Sequence, residues 1–198
     1  AIGHVTQDLL PDGGYTVGGT ATYASLTAHR LGLEVGVLTS VPARLDLSEA
    51  LHGITIHAVP SEQATTFENT YQGEARRQFV HGLASVLHPA HLPARWKKAP
   101  IVLLCPLVGE LGLDWLGVFR SSLVGVTPQG WMRQWDERGL VRPKPWSEAE
   151  QILPAVDVLV FSEEDVARDA GIIRQYTSWA RIAVVTRGRR GATVFWNG

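Results

Sequence analysis

Gly18-Gly19 stands directly before an alanine-rich stretch, residues 20–32. Paired glycines at a helix entrance let a ligand approach the backbone while amide donors and the helix dipole face it. By itself the pair is a weak signal: the GxGxxG spacing of a dinucleotide fold is missing, and a tight turn is the more frequent explanation for Gly-Gly. A second set of polar residues follows a series of short apolar runs: Thr39-Ser40, Pro106, Thr127-Pro128-Gln129, Ser162-Glu163-Glu164-Asp165 and Thr186-Arg187-Gly188. If those runs are parallel strands, their polar tips line a ligand crevice. Ordinary turn formers are the competing explanation for any single tip, and Ser162 with Asp165 also has the spacing of a helix capping box.

The apolar runs themselves, at 35–38, 101–105, 123–126, 156–161 and 182–185, are rich in Val, Ile and Leu and are mostly separated by helix-like stretches. Continuous apolar strands of this kind predict a parallel α/β sheet covered by helices on both faces. Ala21, Ala24, Ala28 and Leu31 recur at helical spacing with Gly32 as the stop, and Ser147 with Glu150 forms a capping box before the Leu153-Pro154 break. Residues 2–5 read as the exit end of a strand, and the proline-rich residues 141–146 as a loop. Between 64 and 80 the pattern changes: Thr65, Phe67, Asn69 and Tyr71 share one parity, Gly73 marks a turn, and Arg77 and Phe79 return. This predicts a solvent-facing antiparallel hairpin, either a lid over the crevice or a surface ribbon. Asn197-Gly198 is a two-residue hairpin signal with no strand after it, so the fold is expected to continue past these residues.

Composition excludes several classes. With 198 residues and 45% apolar content the chain can bury a sizeable core, and one domain is expected. Eighteen Lys and Arg against nineteen Asp and Glu give a net charge of −1, too little for non-specific nucleic-acid binding. The basic pairs Arg76-Arg77 and Lys97-Lys98 therefore read as solvated surface. No apolar run approaches the roughly 20 residues of a membrane-spanning helix. Cys105 is the only cysteine, which rules out an intrachain disulfide or a thiolate zinc cluster and fits a reducing cytoplasm.

Other constellations are weaker. His88 and His91 are separated by Pro89 and lack an HExxH context, so they read as surface histidines. Trp131 and Trp135 share helical spacing, and burial is favoured over stacking on a ligand ring. Cys105 ends a buried strand with no cationic neighbour in sequence and reads as a core thiol. No GxSxG elbow is present.

In order along nearly the whole chain, the pieces resemble the ribokinase-like (PfkB) family of carbohydrate and nucleoside kinases. They are Gly3-His4-Val5-Thr6-Gln7-Asp8, then Gly18-Gly19 with its helix, then Thr66-Phe67-Glu68-Asn69. Val126-Thr127-Pro128-Gln129-Gly130, residues 158–165, Val185-Thr186-Arg187-Gly188 and Gly191-Ala192 complete the series. The resemblance implies a three-layer α/β/α, Rossmann-like body spanning residues 1–198, incomplete at its C-terminus, with lid elements at about 9–18 and 64–82. It implies transfer of the γ-phosphoryl group of ATP, with Mg²⁺, to a substrate hydroxyl. Asp8 would accept hydrogen bonds from substrate hydroxyls, since a carboxylate offers two acceptor oxygens. Gly18 and Gly19 would let the substrate lie against the backbone, with Tyr23, Phe67, Asn69 and Gln129 completing the acceptor side. Ser162 and Asp165 stand where the family has Asn and Glu, in a motif that organises magnesium-bound water, and Asp165 is the implied metal residue. Thr186 and Gly188 would touch the donor, and Gly191 would permit the following turn.

Departures from the family pattern narrow this implication. Tyr23 replaces a sugar-binding Asn, Thr20 a frequent Lys, and no carboxylate stands at Pro106-Leu107-Val108. Lost polar partners cost on the order of 1–3 kcal/mol each in a closed site, which favours a more apolar or cyclic alcohol such as a nucleoside, an inositol or a modified sugar. The Gly-Ala-Gly-Asp segment that supplies the family's anion hole and catalytic base has no counterpart here, so no catalytic residue is assigned and the chain alone is expected to be nearly inert. The competing class is a small-molecule-binding or regulatory module on the same fold. A nicotinamide oxidoreductase is disfavoured by the missing fingerprint. Phe67 and Tyr71 are also candidates for an exposed lid face through which a homodimer could form.

Overall fold

The computed structural model describes residues 1–72 and 75–197. Among these residues thirteen strands and three α-helices alternate with short 3₁₀ turns. The strands are β1 Thr6–Leu9, β2 Tyr15–Gly18, β3 Gly36–Val41, β4 Thr55–Pro60, β5 Thr65–Gln72, β6 Ala75–Gly82 and β7 Ile101–Leu104. They continue with β8 Leu123–Val126, β9 Arg133–Trp135, β10 Val141–Pro143, β11 Val158–Ser162, β12 Ile182–Thr186 and β13 Ala192–Trp196. The helices are α1 Thr20–Arg30, α2 Ala149–Ile152 and α3 Ala170–Trp179.

The body is one sheet joined at its middle by a single residue. Strands run β13-β12-β11-β8-β7 on one side and β3-β4 on the other. Ile2 bridges Leu38 of β3 and Leu104 of β7, parallel to both. All body pairings are parallel except β12 with β13. The sheet therefore winds outward in both directions from Ile2, and a doubly wound sheet opens its crevice at the carboxyl ends beside such a switch point. The expected exit strand at 2–5 reduces to this bridge; the chain then leaves the body through Gly3, His4 and Val5 and enters a second sheet.

That second sheet has the order β2-β1-β5-β6. The hairpin predicted at 64–80 is present as β5 and β6, paired antiparallel. Its predicted turn residue, Gly73, lies outside the described residues, as does Gly198 of the predicted terminal turn. β1 joins β5 in parallel, with Thr6 opposite Thr65 and Asp8 opposite Phe67. Side chains alternate along a strand, so Thr65, Phe67 and Asn69 share the sheet face that carries Thr6 and Asp8. Phe67 is only 3% exposed, which corrects its placement on an exposed lid face: it belongs to the packed side. The side chain of Tyr71 lies outside the described residues.

Helical cover is thinner than the strand composition predicts. α1 and α3 are full helices, whereas α2 has four residues and the β7–β8 connection carries only a 3₁₀ turn at Leu113–Trp115. β11 and β12 accordingly alternate buried and half-buried residues. Ile101, Leu123, Val194 and Trp196 are 47–71% exposed. The buried face packs Leu104, Val126, Leu159, Phe161, Ala183 and Val185 against Trp115, Trp146 and Tyr176. A second cluster, with Val37, Leu45, Leu51 and Ile54, lies on the β3–β4 side and takes in Leu26 of α1.

Local signals fare unevenly. α1 ends in a full Schellman motif: Gly32 has φ of 84°, its N–H donates to His29 O at 2.9 Å, and Leu33 N–H donates to Ala28 O at 3.1 Å. Leu31, read as part of the apolar stripe, is 76% exposed; the buried residues are Ala21, Thr22 and Ser25. The Ser147–Glu150 box does not form. Glu148 is the N-cap, and the Ser147 hydroxyl donates to the Glu148 carboxylate at 2.8 Å instead. Residues 141–143, read as loop, pair with β9, since a proline is tolerated at the end of an edge strand. The β9–β10 turn docks on β6: Val80 N–H donates to Gly139 O at 2.9 Å, and Phe79 bridges Leu140.

Candidate functional site

The strand tips converge as the topology requires. Thr127 and Gln129 after β8, Ser162 and Asp165 after β11, and Thr186 at the end of β12 line one shallow cleft of about 220 Å³. Thr20, the first residue of α1, borders it as well. Helix geometry aims the N–H groups of Thr20 and Ala21 outward at that end, while those of Thr22 and Tyr23 donate to Gly19 O; Gly19 as N-cap brings no side chain to cap them.

Asp165 is held from two sides. Its Oδ2 accepts from Ser162 N–H at 2.9 Å, and its Oδ1 accepts from Gln129 Nε2 at 3.1 Å. Ser162 Oγ in turn accepts from Glu164 N–H at 3.2 Å, so the predicted capping box forms. Thr186 Oγ donates to Phe161 O at 3.5 Å, which ties β12 to β11 beside the cleft. Beyond it, the 187–191 turn closes on Gly188 and Gly191, with φ of 56° and 85°, and Arg187 N–H donates to Gly191 O at 2.8 Å. Both glycines shape the turn; neither lines the cleft.

The next shell is cationic. Glu163 has a side chain only 9% exposed, and three guanidinium groups gather on it: Arg187 at 3.7 Å, Arg168 at 3.7 Å, and Arg190. Ala167 and Arg168 adopt left-handed backbone, φ 50° and 60°, which turns the chain back toward Glu163. Sequence reasoning gave none of these arginines a role and named Arg187 only within the Thr186-Arg187-Gly188 tip, although the run Arg187-Gly188-Arg189-Arg190 was a visible signal.

The second half of the site is reached along the chain from Thr20 through Gly19 to Gly18. Thr6 Oγ donates to Asp8 Oδ1 at 3.0 Å. A methyl group on Gly18 would strike the Asp8 carboxylate and come within 2.9 Å of Thr6 Oγ, so glycine there makes room for the acid. Gly19 has φ of 93° and lies so close to His4 that an added Cβ would sit 2.6 Å from the His4 carbonyl. Asn69 shares the Asp8 face and accepts from Gln78 Nε2 at 3.0 Å. Tyr23 lies on the first turn of α1, 59% exposed and outside the cleft lining.

Sequence reasoning missed one carboxylate. Residues 106–108 carry no acid, yet Glu110, 2% exposed, folds back so that its carboxylate accepts from the N–H groups of Leu107 at 2.8 Å and Val108 at 2.8 Å. Thr39 and Ser40, read as crevice residues, are fully buried within β3 and serve structure: Thr39 Oγ accepts from Val5 N–H at 2.8 Å. The other rival constellations also resolve to structure. His88 pairs with Asp114 at 3.3 Å on the surface, and no cluster of three metal-ligating side chains occurs among the described residues. Trp131 donates to Leu111 O at 2.7 Å and stacks on Trp146.

Comparison with known proteins agrees with this layout. No family model and no curated protein matches the sequence. Among solved structures, a pyrophosphate-dependent kinase of the ribokinase family, complexed with a pyrophosphate analog and myo-inositol, superposes with a TM-score of 0.82 at 24% identity, covering 100% of this chain and 75% of its own. Ribokinase from Arabidopsis thaliana, complexed with ribose and ATP, gives 0.71 at 14% identity, covering 100% and 74%. An uncharacterised sugar kinase from Pyrococcus horikoshii gives 0.69 at 14%, covering 99% and 76%. The chain has the ribokinase-like fold. Within that fold, the cleft between Thr20 and Thr186 and the glycine-lined seat of Asp8 adjoin through Gly18 and Gly19. No helix among the described residues is long and apolar enough to cross a membrane.

Proposed function

We propose that this ribokinase-like chain serves transfer of a phosphoryl group from a phosphoanhydride donor, ATP or pyrophosphate, to a hydroxyl of a cyclic polyol. The observation that carries the reading is the continuity of two unlike half-sites through Gly18-Gly19-Thr20. One half is an acid in a glycine-lined seat, suited to hydroxyls; the other is a cleft of hydroxyl and amide donors backed by arginines, suited to phosphates.

Asp8 would orient the acceptor by taking hydrogen bonds from two of its hydroxyls. Gly18 and Gly19 would let the ring lie against the backbone, and the β2-β1-β5-β6 sheet, acting as a lid, would exclude water with Phe67 and Asn69 on its inner face. Thr186, Ser162 and the first turn of α1 would bind the donor's terminal phosphates, with Arg187 and Arg190 balancing their charge. Asp165 fits the chemistry of Mg²⁺, a hard ion that binds through few carboxylates and keeps its waters; bound there, the ion would neutralise donor charge. One similar structure is complexed with a pyrophosphate analog and another with ATP, which supports that class of donor.

The test is a coupled assay of the full-length protein with ATP and with pyrophosphate against a panel of cyclitols, pentoses and nucleosides. Turnover of a cyclitol, lost at least 100-fold in Asp8→Asn, supports the reading. Consumption of neither donor with any alcohol would sink it. Binding without turnover is the second reading, favoured by Asp165, each of whose oxygens already accepts a hydrogen bond within the protein. Saturable calorimetric binding of a cyclitol in the absence of turnover would select it.

A further inference from the structure

Glu110 is buried at 2% exposure and no cation lies within ion-pairing distance of it among the described contacts; its oxygens are satisfied by backbone amides. Besides Leu107 and Val108, the carboxylate accepts from His4 N–H at 3.0 Å. One side chain thereby clamps the 106–108 loop to the segment that carries the chain from the body sheet into the second sheet. A buried carboxylate is costly unless it is hydrogen-bonded, and here three backbone N–H groups meet that need.

What the clamp holds is the wall of the acceptor seat. A Cβ added at Gly19 would meet the His4 carbonyl at 2.6 Å, Leu107 Cδ1 at 3.1 Å and Thr6 Cγ2 at 3.4 Å, so two of the three groups that crowd Gly19 belong to residues whose N–H groups Glu110 holds. The His4 ring continues the clamp into the second sheet. Ser85 O can only accept, so His4 Nε2–H donates to it at 2.9 Å; in that tautomer Nδ1 accepts from the Thr65 hydroxyl at 2.7 Å, while Thr65 Oγ accepts from Ala84 N–H at 3.0 Å. Thr65 begins β5 and Ala84-Ser85 follows β6; these are the two roots of the hairpin. The donor cleft has its own bonds, through Ser162, Asp165 and Gln129, and uses none from Glu110.

We propose that Glu110 is a positioning residue for the acceptor half of the site, acting through His4 and Leu107 on Gly19 and on the roots of the hairpin. The inference rests on the kinase reading for its kinetic consequence and on the hydrogen-bond network alone for its structural one. Glu110→Gln keeps the shape and replaces one acceptor by an NH₂ group that meets backbone N–H donors. In the full-length protein we expect the acceptor KM to rise about 10-fold or more while the donor KM stays within about twofold. A residue that merely stabilised the fold would lower the melting temperature and the active fraction and leave both KM values unchanged; that result overturns the proposal. Hydrogen exchange read by mass spectrometry gives a second arm that needs no activity: amides at 19–22, 65 and 84 should exchange faster in the variant, and those at 162–165 should not. Uniform acceleration, or none, also overturns it. Should Glu110→Gln fail to fold, Thr65→Val tests the same unit from the hairpin side with the same KM split and exchange pattern. Failure of the wild type to use any donor sinks the kinase reading only, and the exchange arm then decides the role of Glu110.

Discussion

At the scale of single residues, glycines and one thiol give the sharpest tests. Gly18→Ala pushes a methyl group into the Asp8 carboxylate, so the acid must leave its seat. The acceptor KM in steady-state kinetics should rise at least 10-fold while donor affinity, read by calorimetry, holds. Cys105 is fully buried, and burial pushes its thiol up from the ordinary 9.0 to about 12. The folded state thus favours the protonated form, a contribution to stability that is complete below pH 9.0 and lost as pH rises toward 12. A thiol reagent at pH 8 should label no equivalent in the native protein and one in denaturant. That residue's character was legible in sequence, because a cysteine closing a Val-Leu-Leu strand has nowhere else to go. Glu110 was not legible: only the fold of the chain brings an acid at 110 back to amides at 107, 108 and 4.

At the scale of elements, caps decide where helices begin and end. Asp169 Oδ1 accepts from Gly171 N–H at 2.7 Å and Ile172 N–H at 3.0 Å at the start of α3. Asp169→Ala should destabilise the protein by about 1 kcal/mol, measured by urea unfolding, as N-cap truncations do. Gly32→Ala should cost about 1 kcal/mol by the same measurement, since open space surrounds the site and only the left-handed backbone resists. Strand positions were readable from apolar runs, and β3, β7, β8, β11 and β12 all lie where those runs are. The helices between them were not. Residues 107–122 contain enough Leu and Trp to suggest a packed helix, yet Gly109, Gly112 and Gly117 break the span, and two of them adopt positive φ. The Ser147–Glu150 box failed for a related reason: Ser147 found a nearer acceptor in Glu148.

At the scale of the whole molecule, Ile2 is the seam of the body sheet. It joins β3 to β7, is 3% exposed, and bonds through Ile2 N–H to Leu103 O at 2.9 Å and through Ile2 O to Cys105 N–H at 2.7 Å. Ile2→Ala leaves the backbone seam and empties the packing beneath it, a change expected to cost about 2–4 kcal/mol. Thermal unfolding should show the loss as a lower midpoint. The order of motifs along the chain revealed the doubly wound arrangement; it did not reveal that the seam is so narrow, because a one-residue bridge has no run to read.

The bond from Val80 to Gly139 has a mechanical meaning. It moors one rim of the four-stranded sheet to a hairpin of the body, on the side farthest from β2. With that rim moored, the roots of β5 and β6 gripped by His4, and β2 running through Gly18 into α1 with Val17 packed on the β3–β4 cluster, the four-stranded sheet is tied to the body at both rims and at its roots.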